Sequence, residues 1–174
     1  MLVLGGIRSG KSEWAESAMA ATAGTNSPVR YVATGPTADD DDWAARLSAH
    51  RARRPRHWST VETCDLSTQL RLDDGKPTLV DDVGGWLTAA MDRAQAWSGG
   101  SASHDVDDLV AAVAGHRADL VLVSPEVGLT VVPETAAGRR FADELGALNQ
   151  RLAAVCDRVV LVVAGQPVPI KEPS

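Results

Sequence analysis

"LVLGGIRSGKSEWAESAMA", residues 2 to 20, decides the fold. Its centre, Gly5 to Ser12, satisfies the phosphate-loop pattern G-x-x-x-x-G-K-[ST], which is informative only between a strand and a helix. An apolar run precedes this centre and an alanine-rich, helix-forming segment follows it. The residues expected to bind a nucleotide here are Gly5, Gly6, Ile7, Arg8, Ser9, Gly10, Lys11, Ser12 and Glu13.

The chemistry of this stretch suits a phosphate. Its glycines permit positive φ, so backbone N–H groups can turn inward around an anion, and the helix N-terminus adds partial positive charge. We expect Lys11 to act catalytically on the β and γ phosphates and the Ser12 hydroxyl to ligate Mg²⁺. The alternative is a glycine-rich turn without a ligand.

Outward from this motif, short apolar runs alternate with helix-forming segments. The runs occupy residues 1 to 4, 29 to 34, 78 to 81, 120 to 124 and 159 to 165, and the segments occupy residues 12 to 23, 41 to 54, 85 to 97, 106 to 118 and 134 to 156. Runs without polar alternation are typical of strands buried on both faces. We therefore predict an α/β fold, a P-loop NTPase of the RecA-like kind, built as a three-layer sandwich around a mostly parallel sheet.

Composition limits the organisation and the partners. A chain of 174 residues that is 44% hydrophobic suits one domain, predicted over residues 1 to 174, with residues 98 to 108 as a flexible loop and "VPIKEPS" as a tail. The net charge of −6 argues against general nucleic-acid binding. Two cysteines without metal-ligand spacing, and no apolar stretch of membrane-spanning length, lead us to expect a cytoplasmic protein without a membrane span.

A phosphate loop needs a carboxylate at the end of a neighbouring strand to hold Mg²⁺ or its water shell. "TLVDD" offers Asp81 or Asp82, and Asp81 is favoured because it follows the apolar run directly. The alternative is that both aspartates cap the next helix.

The segment "SAHRARRPRHW", residues 48 to 58, is the second unusual feature. Five of the seventeen basic side chains lie between residues 46 and 56. Acidic residues 39 to 42 and these arginines suit the two ends of a helix. His50 shares an i, i+4, i+7 stripe with Trp43 and Leu47, so it faces the protein, where an unprotonated imidazole could act as a nucleophile. By spacing alone it could equally be a packed core residue.

Taken in order, five blocks resemble one known family. They are "GGIRSGKS", "YVATG", the histidine block from residue 40 to Glu62, "SPEVGLTVVPE", and "RRFADELGALNQRLA" followed by "VVLVVAGQPVPIK". They resemble the bifunctional adenosylcobinamide kinases and adenosylcobinamide-phosphate guanylyltransferases of cobalamin synthesis. The resemblance implies phosphorylation of adenosylcobinamide, then transfer of GMP from GTP to that phosphate through a covalent GMP–histidine. The histidine that matches is His50.

The resemblance also implies further contacts and partners. The implied nucleotide-binding residues outside the phosphate loop are Ala33, Thr34, Gly35, Arg51, Ala52, Arg53, Arg54, Glu62 and Asp81. An ordinary turn at Thr34-Gly35 and a solvated Glu62 are the alternatives. The implied substrates are ATP and GTP, with Mg²⁺ as the cofactor and the corrinoid adenosylcobinamide as the partner. A homo-oligomer such as a trimer is expected, and binding of nucleic acid is not expected.

Two departures from the family pattern stand out. Gly84 and Gly85 follow the strand aspartates where relatives carry threonines, and Pro125 stands where asparagine is usual. The first removes hydroxyls near the expected substrate side, which concerns the kinase reaction more than nucleotide binding.

Two other functions remain compatible with the residues. One is a P-loop kinase of another small hydroxyl substrate, without a histidine intermediate. The other is a nonenzymatic NTP-dependent switch that binds nucleic acid through the arginines; steep salt dependence of such binding would favour it.

Overall fold

The structure is a computed structural model that describes residues 1–24, 26–34, 55–72 and 74–173. The helix predicted over residues 41 to 54, which includes His50, lies outside the described residues. The strands are β1 (Leu2–Gly5), β2 (Arg30–Ala33), β3 (Ser59–Glu62), β4 (Thr78–Asp81), β5 (Leu120–Pro125), β6 (Val159–Val163) and β7 (Gln166–Lys171). The α-helices are α1 (Lys11–Ala23), α2 (Leu66–Arg71), α3 (Val83–Arg93), α4 (Ser103–Gly115) and α5 (Ala136–Val155), and a 3₁₀ turn covers Ala96–Ser98.

In the described part of the chain the strands form one seven-stranded sheet in the order β3-β2-β4-β5-β1-β6-β7. All neighbouring pairs are parallel except β6 with β7. The predicted mostly parallel α/β sheet is therefore confirmed. Because parallel strands end at one edge, this order brings the ends of β1, β2, β3 and β4 to the same side of the molecule.

The core lies on both faces of the sheet. Successive residues of β1 point to opposite faces, so Leu2 packs in one apolar cluster and Val3 in the other. Val3 shares its cluster with Met19 of α1, whereas Leu2 packs with residues of α2, α3, α4 and α5. The result is the predicted arrangement of helices on both sides of a central sheet.

Two local features differ from the sequence-based expectation. The predicted loop over residues 98 to 108 is mostly helix, since α4 begins at Ser103. The predicted tail "VPIKEPS" belongs largely to β7, which pairs antiparallel with β6. Two prolines made this strand hard to recognise from the sequence. Pro167 and Pro169 alternate along β7, and an edge strand tolerates missing donors on its outer side.

Two short elements were not predicted at all. β3 has four residues that are mostly exposed, so it lacks the buried apolar run that identified the other strands. The α2 helix has six residues, and Asp65 caps it by accepting a hydrogen bond from the Thr68 amide at 3.4 Å. Within the described ranges, no helix is both long enough and apolar enough to cross a bilayer.

Candidate active site

The phosphate loop joins β1 to α1 in the predicted context. Gly10 sits at the helix N-cap with φ of 88°, and Arg8 has φ of 56°. Positive φ at Gly10 costs little because glycine has no Cβ. A Cβ on Gly5 would lie 2.4 Å from the Ser9 Oγ, so the start of the loop also requires glycine.

Lys11 and Ser12 begin α1 and project from its first turn. The Lys11 ammonium reaches back across the loop toward the Gly6 carbonyl oxygen, 3.5 Å away. The Lys11 amide donates to the Ser9 Oγ at 3.3 Å. The amino group of Lys11 thus lies over the turn where a β or γ phosphate would be held.

Asp81 faces the phosphate loop from the end of β4. Its Oδ1 accepts a hydrogen bond from the Ser12 hydroxyl at 3.2 Å, and its Oδ2 accepts one from the buried Tyr31 hydroxyl at 2.6 Å. The structure therefore brings together the two residues predicted to act at a metal ion. Sequence analysis missed Tyr31, because a tyrosine within an apolar strand is typical of the core until the order of the strands is known.

Asp82 has a different role from Asp81. Its Oδ1 accepts a hydrogen bond from the Gly85 amide at 2.7 Å, so it is the N-cap of α3. Burial raises the pKa of the Asp82 carboxyl, and the neighbouring Asp81 charge raises it further, while the Gly85 amide and the Lys11 charge oppose the shift. Each of the two predicted roles thus falls to one residue of the pair: Asp82 caps the helix, and Asp81 faces Ser12.

The other described candidates lie along the same edge. Ala33 ends β2 and pairs in register with Asp81 on one side and Glu62 on the other. Thr34 is buried and donates its hydroxyl to the Asp82 carbonyl oxygen. Glu62 is exposed at the end of β3. These three residues are thus within the same row of strand ends as Asp81.

Part of the predicted site lies outside the described residues. These candidates are Gly35, His50, Arg51, Ala52, Arg53 and Arg54. In the phosphate loop itself, Ile7, Arg8 and Glu13 are exposed, and Gly6 is open enough that a Cβ there would meet nothing within 4 Å.

The two departures from the family pattern touch each other. A Cβ on Gly84 would lie 2.8 Å from the Pro125 Cγ, so the proline ring occupies the room that a side chain at position 84 needs. Pro125 ends β5, and its carbonyl oxygen accepts a hydrogen bond from the Asn149 amide group at 3.0 Å. The next residue, Glu126, donates its amide to the Gly5 carbonyl oxygen at 3.0 Å. The changed pair therefore borders the start of the phosphate loop.

Metal chemistry at this site would rest on few protein ligands. Across the described ranges, no three His, Cys, Asp or Glu side chains gather in a metal-binding group. Mg²⁺ in phosphate-transfer sites commonly uses one or two carboxylates together with substrate phosphates and water. The Ser12 and Asp81 oxygens are hard ligands of the kind that Mg²⁺ prefers, and they fit that requirement.

The fold and the site define the class. A strand, a glycine-rich loop with Lys11 and Ser12, and an aspartate at the end of a nearby strand are the features of a P-loop nucleotide-binding protein. Among solved structures, one described as an ATPase domain aligns with a TM-score of 0.50 and 10% identity, covering 92% of this chain and 67% of that one. At that identity the likeness shows the fold alone.

The sequence comparisons identify the family. The family described as cobinamide kinase / cobinamide phosphate guanyltransferase matches residues 1–170, and the chain belongs to it. The bifunctional adenosylcobalamin biosynthesis protein CobP of Pseudomonas aeruginosa is 41% identical over 175 residues, covering 98% of this chain and 96% of that protein. The protein CobU of Escherichia coli, with the same bifunctional description, is 38% identical over 191 residues, covering 98% and 99%. Membership makes the chain an enzyme with the kinase and guanylyltransferase activities of its family.

Proposed function

We propose that the chain carries out both reactions at the carboxyl edge of its sheet, with the residues described above. The first is phosphorylation of the hydroxyl of adenosylcobinamide, and the second is transfer of GMP from GTP to the resulting phosphate. The observation that carries this proposal is the meeting of the phosphate loop with Asp81, at 3.2 Å from the Ser12 hydroxyl, in a chain that matches its family over residues 1–170.

Lys11, Ser12 and Asp81 each have a role in the kinase reaction. The substrate hydroxyl oxygen attacks the γ-phosphorus and its proton passes to solvent water, while the bond from the γ-phosphorus to the bridging oxygen breaks to release the nucleoside diphosphate. Lys11 and the loop amides neutralise charge on the transferred group. Mg²⁺, when bound by Ser12 and Asp81, supplies further charge neutralisation at the phosphates.

The second reaction uses His50 as a nucleophile. An imidazole nitrogen attacks the α-phosphorus of GTP, the bond to pyrophosphate breaks, and a GMP–histidine phosphoramidate remains. An oxygen of the corrinoid phosphate then attacks the same phosphorus, the P–N bond breaks, and the imidazole is regenerated. The arginines at positions 51, 53 and 54 match phosphate oxygens in charge and geometry.

The described chain on either side of the histidine segment supports this role. The segment follows Thr34, whose amide donates to the Asp81 carbonyl oxygen at 3.3 Å, so the last described residue before the segment lies beside the proposed metal ligand. It rejoins the described residues at Pro55, and Glu62 then ends β3 at the same edge. Ala33, Thr34, Gly35 and Glu62 are proposed to contact the nucleotide there.

Exposed apolar surface supports a homo-oligomer such as a trimer. Leu129, Val131 and Val132 follow β5 and are 76%, 90% and 70% exposed, and Ile170 on the edge strand β7 is 59% exposed. An exposed run of apolar side chains, such as Leu129, Val131 and Val132, is typical of association surfaces. We further propose that the enzyme acts in the cytoplasm, consistent with Cys64 and Cys156 being free thiols, and that it does not bind nucleic acid.

A product assay tests the proposal. Purified protein is incubated with adenosylcobinamide, Mg²⁺ and either ATP or GTP. The corrinoid products are then separated, and their masses are measured by mass spectrometry. We expect cobinamide phosphate with a competent donor and the GDP adduct of cobinamide when GTP is present. The Lys11→Ala variant, folded by circular dichroism, is expected to form neither.

Three outcomes would contradict the proposal. Folded wild-type protein that makes no phosphorylated corrinoid would remove the kinase role, and phosphorylation of a different small alcohol would favour the hypothesis of another P-loop kinase. Phosphorylation without any GDP adduct would remove the second reaction.

A further inference from the structure

The turn between β6 and β7 contacts the phosphate loop directly. The Gly165 amide donates a hydrogen bond to the Ser9 carbonyl oxygen at 2.8 Å. A Cβ on Gly10 would lie 3.1 Å from the Gly165 Cα, so the two backbones approach closely. Two segments more than 150 residues apart in the sequence thus share a backbone contact at the loop.

This contact fixes the direction of one peptide group. A trans peptide is planar, and its C=O and N–H point in opposite directions. Because the Ser9 oxygen faces Gly165, the Gly10 N–H is directed away from the turn. Loops of this pattern hold phosphate with inward-facing backbone N–H groups.

The turn itself is well defined. Ala164 has φ of 50° and Gly165 has φ of 75°, and positive φ at both central residues belongs to the hairpin turn that matches strand twist. Val163 pairs with Gln166 to close the turn. On its other side β6 pairs with β1, with Val162 opposite Gly5, so the sheet holds the turn and the loop in one frame.

We propose that Gly165 is a positioning residue for phosphate binding, which acts through the Ser9 carbonyl to hold the Gly10 N–H toward the bound nucleotide. Gly165 does not touch the nucleotide. The proposal rests on the proposed phosphate-binding role of the Gly5 to Ser12 loop. It assigns to the β6–β7 hairpin a part in nucleotide affinity.

The first test moves the Gly165 amide away from the Ser9 carbonyl oxygen. Two glycines are inserted between Ala164 and Gly165, and the dissociation constant for GTP with Mg²⁺ is measured by calorimetry. We expect the affinity for GTP to fall about tenfold or more, because the Gly10 N–H would no longer be held toward the nucleotide and would lose one hydrogen bond to a charged phosphate. The thermal midpoint should change little, because insertions in exposed turns are tolerated. The matched control Ala164→Asn favours positive φ, keeps the donor, and should bind GTP as the wild type does.

A second variant covers the case in which the insertion misfolds. A semisynthetic chain with glycolic acid in place of Gly165 lacks the amide donor while keeping the length of the turn, and the same loss of GTP affinity is expected. Wild-type affinity in either folded variant would overturn the proposal. Lys11→Ala distinguishes the phosphate-binding role of the loop from the positioning role of Gly165. If this variant loses GTP binding while the turn variants retain it, only the role of Gly165 is wrong. If it binds GTP normally, both the role of the loop and this inference are wrong.

Discussion

At the scale of single residues, the two adjacent aspartates show how one sequence step separates a functional group from a structural one. Asp81 ends a strand and receives hydroxyl donors from Ser12 and Tyr31, whereas Asp82 caps the helix that follows. The sequence predicted a carboxylate here, and preferred Asp81, because an acid after a buried strand reaches the edge where ligands bind. It could not assign Asp82 to the cap, because that depends on where α3 begins.

Asp81→Asn is expected to remove most of the Mg²⁺ dependence of GTP binding. The amide keeps an oxygen for the Tyr31 hydroxyl but loses the charge that attracts the metal, and a loss of about 10- to 100-fold in metal affinity is typical of such changes. Titration of GTP binding against Mg²⁺ measures it. Tyr31→Phe, which keeps the carboxylate, should retain the dependence and lose about 1 kcal/mol of stability. Unchanged Mg²⁺ dependence in Asp81→Asn would count against the assigned role.

Asp82→Asn is expected to raise the free energy of unfolding at neutral pH. Because the pKa of Asp82 is raised in the folded state above its ordinary value of 3.8, ionisation disfavours folding as the pH rises between those two values, and the penalty persists above both. Asparagine removes the charge and remains a good N-cap. Denaturant unfolding should show a gain at pH 7 that shrinks as the pH falls through the raised pKa of Asp82 toward 3.8. A loss of stability at pH 7 would contradict this, and Asp82→Ala, which also loses the cap, is the control.

Gly84→Thr is expected to destabilise the protein by about 1–3 kcal/mol, because the new side chain overlaps the Pro125 ring. Adding Pro125→Asn should recover part of that loss, and a double-mutant cycle by chemical unfolding gives the coupling. Additive effects of the two changes would show that positions 84 and 125 are not energetically coupled and would contradict the proposed overlap.

At the scale of elements, the sequence predicted the buried strands well and the edge strands poorly. β1, β2, β4, β5 and β6 are apolar runs that parallel neighbours bury, so their composition identifies them. β3 and β7 are the two edges of the sheet, and their exposure and prolines give no such signal. The role of Gly165 was missed for the same reason, although the step from "VVLVV" through two residues to "QPVPIK" is compatible with a hairpin.

Lys171→Met is expected to lower the free energy of unfolding by about 1–3 kcal/mol. The Lys171 ammonium donates to the carbonyl oxygens of Ala153, Ala154 and Cys156 at 3.0, 3.3 and 2.7 Å, so β7 caps the C-terminal end of α5. Lys76→Met is the matched control, since its ammonium forms a half-exposed pair with Asp74 at 3.2 Å, and its loss should cost less than about 1 kcal/mol. Equal losses in the two variants, by thermal or chemical unfolding, would contradict the capping role.

At the scale of the whole molecule, one nucleotide site is proposed to serve two reactions. The fold, the phosphate loop and Asp81 could be predicted because each follows from local pattern: an apolar run, eight residues in order, and an acid at a strand end. The contact of Tyr31 with Asp81 could not, since it depends on which strands become neighbours. The single domain over residues 1 to 174 and the roles of His50 and its arginines stay predictions.

Labelled GTP tests the central claim most directly. We predict that GTP labelled at the α-phosphate leaves acid-labile, base-stable label on His50 with release of pyrophosphate, and that label at the γ-phosphate does not remain on the protein. His50→Ala should lose the adduct and GMP transfer while retaining phosphorylation of adenosylcobinamide, and His57→Ala should behave as the wild type. Covalent GMP in a folded His50→Ala variant, or label on His57 instead, would contradict the account.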